Sequence, residues 1–225
     1  MESRATSTKE RLSRETLAAG ALALADREGL DAVTIRRLAT DNSVTPMALY
    51  WHFKDKDAVL DGIAEQIFSS VVLPAPSDGA WDDQLRQVLS ALLSAIRPHP
   101  LAADLLAPRV MKSEAGLALA ERVIGMLRRA GFSAQDASQT ASLLLCSIVT
   151  LVTSEPGKFT PLSTEARDEL QRTKRAQLDS LSPKNFPYLL ESARFFLECD
   201  DEEIYFAHGL DFLVAGTRGI RPVGD

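Results

Sequence analysis

A chain of 225 residues, 45% hydrophobic and 25% charged, can bury a real core in one large domain or in a small domain joined to a larger one. The longest apolar run free of charge and proline, residues 141–154, is short and rich in Ser and Thr for a bilayer span, and the polar start MESRATSTKER lacks a signal-like apolar stretch. A cytoplasmic protein with no membrane association is expected. The net charge of −6 is unevenly placed: residues 1–56 sum to +1 and the remainder to −7, so the N-terminal segment is free to present a local basic face.

Helical periodicity runs along the whole chain. Residues 14–28 place Leu17, Ala21, Leu24 and Ala25 on one face, with Ser13 as N-cap and Gly29 as the stop. A short helix follows at 35–41, capped by Thr34, with Ile35, Leu38 and Ala39 facing inward. A polar turn at Asn42-Ser43 leads to Thr45-Pro46, a cap followed by proline at the first helical position. Val44 can staple onto Leu49, and Leu49 and Phe53 share a face. Asp55 caps a fourth helix, with Leu60, Ile63, Ala64 and Ile67 as its expected buried stripe.

Residues 73–80, LPAPSDGA, read as a linker. Amphipathic segments are then expected at about 82–97, 100–107, 114–130, 134–154, 164–180, 186–197 and 201–217, with breakers that include Pro108, Gly131 and Pro156-Gly157. The expected fold is therefore all-α: an N-terminal three-helix helix-turn-helix domain (1–56), a connecting helix (about 56–72) and a larger helical domain (73–225).

The third helix, PMALYWHF, carries the functional signal. Leu49 and Phe53 use up its inward face, which leaves Met47, Ala48, Tyr50, Trp51 and His52 pointing away from the core. Aromatics usually pack inside, but successive positions around a short helix cannot all do so. Exposed aromatics beside Arg36, Arg37, Lys54 and Lys56 suit a surface for phosphates and a DNA groove. In a helix-turn-helix the N-terminal end of this helix, Thr45, Pro46 and Met47 here, enters the major groove. Met47 and Ala48 can touch a thymine methyl, and Arg36 can make a bidentate contact to guanine. Tyr50, His52 and Thr34 suit phosphate oxygens, and Lys56, at the start of the fourth helix, is expected to grip phosphate where the helix dipole already favours an anion.

The stretch Leu49-Tyr50-Trp51-His52-Phe53-Lys54-Asp55-Lys56, followed by Val59-Leu60, resembles the signature of the tetracycline-repressor (TetR) family. The resemblance is strong over about 15–70 and continues more weakly in helix order and in pieces such as GFS at 131–133. Ser43 stands where the family often has glycine. The resemblance implies a homodimer that binds double-stranded operator DNA and is released from it by a small-molecule effector bound in the C-terminal domain. It also implies DNA contacts from Arg36, Thr45, Met47, Tyr50, Trp51, His52 and Lys56.

The family pairs two long helices in a four-helix dimer interface. The matching stripes here are Ala141, Leu144 and Ile148, and Leu210, Leu213 and Val214, though either stripe suits a protomer core equally well. In tetracycline repressors, a histidine on the sixth helix coordinates drug-bound magnesium, and another near the end of the fourth contacts the drug. The matching stretches, LAADLLAP and FSSVV, contain none. The expected effector is therefore largely apolar and other than tetracycline-magnesium, with His99, Leu106, Arg109, Met111, Cys146, Thr150 and Thr153 as candidate contacts.

No cofactor or metal is expected. The three histidines are far apart, no His/Cys spacing suits a metal, and Cys146 and Cys199 read as buried free thiols. No nucleophile–base motif favours an enzyme, and the carboxylates at 200–203 read as helix capping. A DNA-binding protein without an effector would predict a closed C-terminal core.

Overall fold

A computed structural model describes residues 13–75, 77–155, 163–193, 195 and 201–220. Among them every regular element is helical. Cys199, Asp200 and the Pro156-Gly157 breaker lie outside the described residues.

Helix α1 (Arg14–Glu28) starts where the Ser13 hydroxyl accepts from the Thr16 amide. It stops at Gly29, whose φ of 82° suits a residue without a Cβ. Helix α2 (Ile35–Asp41) is capped by Thr34, and Ser43 supplies the left-handed turn (φ 54°) that leads to Thr45. The Asn42 side-chain amide helps hold this turn by donating to the Leu38 carbonyl at 2.8 Å. Helix α3 (Pro46–Tyr50) is only five residues long, shorter than the eight-residue PMALYWHF pattern suggests; the chain turns at Trp51-His52 before Phe53 enters the core.

Helix α4 (Lys56–Ser69), capped by Asp55, is the strut between the two halves, lying against α1 on one side and the C-terminal helices on the other. Its buried stripe is Val59, Ile63, Ala64, Ile67 and Phe68; Leu60, expected inside, is half-buried. One continuous apolar core runs from Leu17 in α1 to Val214 in the last helix.

Beyond the linker come α5 (Trp81–Ile96), α6 (Leu106–Arg109), α7 (Glu114–Arg129), α8 (Ala134–Thr153), α9 (Thr164–Asp179), α10 (Pro187–Glu191) and α11 (Glu202–Gly219). The expected helix at 100–107 is instead two 3-10 turns, 103–105 and 110–112, flanking α6. Pro108 fits α6 because first-turn amides lack helical partners anyway. Of the segment expected at 186–197, residues 187–191 form α10 and residues 193 and 195 are again helical, with a turn at Ser192 between them; 194, 196 and 197 lie outside the described residues.

Helix α8 is 20 residues long, with an 18-residue window of mean hydropathy 1.3, which satisfies the length and composition of a membrane span despite the shorter run seen in sequence. Its Leu144, Ile148, Val149 and Val152 are buried against neighbouring helices. Helix α11 crosses α5, fixed by ion pairs from Arg86 to Asp211, from Arg97 to Glu202 and Glu203, and from Arg218 to Asp82. Where α11 meets α8, a Cβ on Gly209 would lie 2.7 Å from the Leu151 methyls, so a larger residue there would require the Leu151 side chain to shift.

Candidate DNA-reading head and effector cavity

Phe53 and Leu49 are fully buried and anchor the reading helix from below. The Arg14 guanidinium lies 4.9 Å over the Phe53 ring and donates to the His52 carbonyl at 3.4 Å, tying the end of the reading helix to α1. On the opposite face Trp51 is 86% exposed, Met47 68% and Tyr50 51%. These side chains would normally be covered, so the head presents an apolar and aromatic surface bordered by Arg36 and Lys54. Arg36 is exposed and, among the described residues, has no carboxylate partner, and the Lys54 side chain is 84% exposed. Pro46 is exposed beside Met47; Ala48 and His52 are half-buried. The Thr34 and Thr45 hydroxyls accept from the Arg37 and Ala48 amides, leaving each hydroxyl proton available to a phosphate oxygen.

Two basic residues depart from expectation. The Arg37 guanidinium is spent on Glu28, at 2.6 and 2.9 Å, and on Asp41 at 3.1 Å, so it staples α2 to the end of α1 instead of facing DNA. These hydrogen bonds raise its pKa above the usual range and lower that of Glu28. Lys56 donates to the Leu30 carbonyl at 3.0 Å, and Asp55 already caps the α4 amides. The exposed Lys56 ammonium keeps two further N–H groups for a phosphate.

In the C-terminal half, a cavity of about 200 Å³ opens between α5, α7 and α8. Val88, Leu92, Leu119 and Val123 form its walls, Val110 and Met111 its rim, and Ser138, Ser142 and Cys146 its few polar groups. Of the expected ligand contacts, Met111 and Cys146 are here. Cys146 is exposed, not buried. Leu106 is core, and Thr150 lies in a separate groove between α8 and α11. Thr153 is half-buried and lines neither space.

His99 and Arg109 are engaged between the halves of the protein. His99 Nδ1 lies 2.9 Å from Asp26 of α1, and Arg109 pairs with Asp57 and Asp61 of α4. The wall residues of α5 and α7 went unrecognised in the sequence, although Val88/Leu92 and Leu119/Val123 repeat at i, i+4. Among the described residues no cluster of three His, Cys, Asp or Glu could hold a metal.

The expected dimer stripe is also redistributed. Leu144, Ile148, Leu210 and Val214 are buried within the protomer, because α8 and α11 each turn one apolar face inward; Ala141 lines the cavity. The outward faces carry Leu143, 64% exposed, and Phe212, 79% exposed, on either side of a groove lined by Ser147, Thr150, His208 and Leu213.

Residues 17–63 match the model for bacterial regulatory proteins of the tetR family, and residues 73–220 match the tetracyclin repressor-like C-terminal domain. The chain belongs to the TetR family. It is 30% identical over 222 residues to the Escherichia coli tetracycline repressor protein class C, covering 94% of this chain and 93% of that one. It is 28% identical over 217 residues to an HTH-type transcriptional regulator of Saccharopolyspora erythraea, covering 95% and 89%. In structure it is similar to the Streptomyces coelicolor TetR-family protein ActR in complex with actinorhodin: TM-score 0.76, 25% identity, 92% of this chain and 97% of that one. As a TetR-family protein it is a ligand-responsive, helix-turn-helix transcription regulator and not an enzyme.

Proposed function

We propose that this TetR-family regulator is a cytoplasmic homodimeric repressor that binds a palindromic operator and is released by a small, largely apolar effector other than tetracycline-magnesium. The observation that carries the effector reading is the cavity between α5, α7 and α8, whose walls are aliphatic and whose polar groups are two serines and a thiol. A DNA-binding protein without an effector has no use for such a space. At about 200 Å³ it is smaller than most ligand pockets. Met111, 71% exposed on the rim, is a side chain whose flexibility lets a site widen around an occupant. The actinorhodin complex of ActR supports a small-molecule occupant here.

DNA is read by Arg36, Thr45, Pro46, Met47 and Ala48. Thr34, Tyr50, Trp51, His52, Lys54 and Lys56 hold the backbone. The functional division falls at the linker, with α4 joining a reading domain to an effector and dimerisation domain beginning at residue 73. The second copy covers the outward α8 and α11 face around Leu143 and Phe212, an apolar patch that water would otherwise meet.

The test is a thermal-shift screen of apolar metabolites and drugs. Each hit is then titrated into protein bound to the DNA upstream of its own gene. Hits are expected to weaken DNA binding 5–150-fold, the usual range of allosteric coupling, and Ala141→Phe, which fills the cavity, to abolish both effects. Compounds that bind the cavity and leave DNA affinity unchanged would refute the effector reading.

A further inference from the structure

Three charged side chains of the head sit where their own helices disfavour them. Arg37 is in the first turn of α2, Asp41 is the last residue of α2, and Glu28 is the last residue of α1. A helix dipole favours anions at its start and cations at its end, so all three are placed the wrong way round. The Arg37–Asp41 pair also runs in the weaker i, i+4 order, with the cation first. What offsets this is a contact between helices. The Arg37 guanidinium forks onto both oxygens of Glu28 at 2.6 and 2.9 Å, while its Nε donates to Asp41 at 3.1 Å.

The three side chains are 37–40% exposed, and ion pairs this wet add little stability. What the fork adds is direction. Helix α2 has seven residues; Leu38 and Ala39 are buried and Ile35 is half-buried beside them, all on one face. Contact along one face of a two-turn helix resists lifting better than it resists rolling about the axis. The planar pair with Glu28 supplies an anchor off that face, and its fixed geometry tolerates little rotation. Arg36, exposed and free of any carboxylate among the described residues, stands about 100° round the helix from Arg37. Fixing Arg37 therefore fixes the direction in which Arg36 leaves the helix. The same α1 holds the end of α3 through Arg14, so both helices of the motif are referred to one support.

We propose that Glu28, acting through Arg37, is a positioning residue for base reading: it aims Arg36 at the major groove and keeps Arg37 off the phosphates, without itself touching DNA. The proposal rests on the reading of Arg36 as a base contact. The hydrogen bond from Arg37 holds the Glu28 carboxyl below its ordinary range, so the staple is closed at neutral pH.

The experiment measures binding of the full-length protein to DNA that wild type selects from a random pool and to a scrambled DNA of the same composition. Glu28→Ala and Arg37→Lys are compared with wild type, with Arg36→Ala, and with Glu169→Ala, which removes the same charge from an exposed ion pair on α9. By charge alone, loss of a carboxylate strengthens binding to both DNAs. The staple predicts opposite signs. Glu28→Ala should bind scrambled DNA as tightly as wild type, or up to about 3-fold more tightly as Arg37 is freed. It should bind the selected DNA at least about 5-fold more weakly, the lower end of what one bidentate base contact discriminates. Arg37→Lys keeps the charge but cannot fork, and should lose the same discrimination. Glu169→Ala should match wild type. Thermal midpoints within about 4 °C of wild type are expected throughout, because the pairs removed are exposed.

Discrimination within about 2-fold of wild type in either staple variant, or equal weakening on the two DNAs, would overturn the proposal. Discrimination lost in the staple variants but kept in Arg36→Ala would overturn Arg36 as the reader and support the staple as a positioner of the other reading residues. No preference in wild type would overturn base reading itself, and the proposal with it.

Discussion

Gly20 and Gly62 both lie in helix interiors, so replacing either with alanine gains about 1 kcal/mol of helix propensity. Their surroundings differ. A Cβ on Gly20 would meet nothing within 4 Å. A Cβ on Gly62 would lie 3.0 Å from Phe53 Cε1, 3.3 Å from Phe53 Cζ and 3.3 Å from the Ala18 Cβ. Phe53 is fully buried, so its ring must move against α1, and overpacking of this kind costs about 1–3 kcal/mol. Gly20→Ala is therefore expected to stabilise by about 1 kcal/mol and Gly62→Ala to destabilise by about 1 kcal/mol. For a chain of this size the resulting difference of about 2 kcal/mol separates the midpoints by about 4–8 °C. Thermal and urea unfolding followed by circular dichroism, at one fixed protomer concentration, measures both. Adding Phe53→Leu to Gly62→Ala makes room, and the cycle should show a favourable coupling of about 1 kcal/mol. Because Phe53 seats the reading helix, Gly62→Ala should also weaken DNA binding, while Gly20→Ala should not. Equal stabilisation by the two alanines would refute the packing described for the head.

Arg36→Ala is expected to relax base preference at one position of each half-site, at a cost of about 1–3 kcal/mol, whereas Lys54→Ala should weaken binding across sequences and lower the salt slope by about one; a binding series at several salt concentrations separates them. Leu143→Glu and Phe212→Glu each place a charge on the outward α8 and α11 face and should yield folded monomers in sedimentation. Dimers of wild-type strength would move the interface elsewhere. Glu28 and Asp57 have pKa values held down by Arg37 and Lys112 respectively, so each contributes stability present above its unfolded value and lost as pH falls through its folded one. Stability is thus expected to decline as pH drops below about 4.5, and Asp57→Asn should flatten part of that decline in an acid titration of unfolding.

The local features of the head were legible in sequence because caps act within one turn. Ser13, Thr34, Thr45 and Asp55 each sit where their side chains accept the amide three residues on. The exposure of Met47, Tyr50 and Trp51 followed from counting faces on a short helix. What depends on distant partners was not legible. Arg37 looked like a DNA contact until Glu28, nine residues away, took its guanidinium. Arg109 looked like a ligand contact until Asp57, 52 residues away, took it as well. Helices α8 and α11 are apolar on two faces, so periodicity alone could not say that Leu144 and Leu210 point inward while Leu143 and Phe212 point out. The cavity escaped notice for a related reason: its walls are ordinary core residues, and what makes them a site is the space between three helices.

The central claim, that the exposed face of residues 34–56 reads a symmetric DNA sequence, is tested most directly by selecting bound fragments from a random-sequence DNA pool with the full-length protein and with Arg36→Ala. The account predicts an inverted repeat enriched by wild type, with half-sites related by two-fold symmetry, and a loss of preference at one base of each half-site in the variant. A pool left unenriched by wild type, or the same motif enriched equally by both proteins, would contradict it.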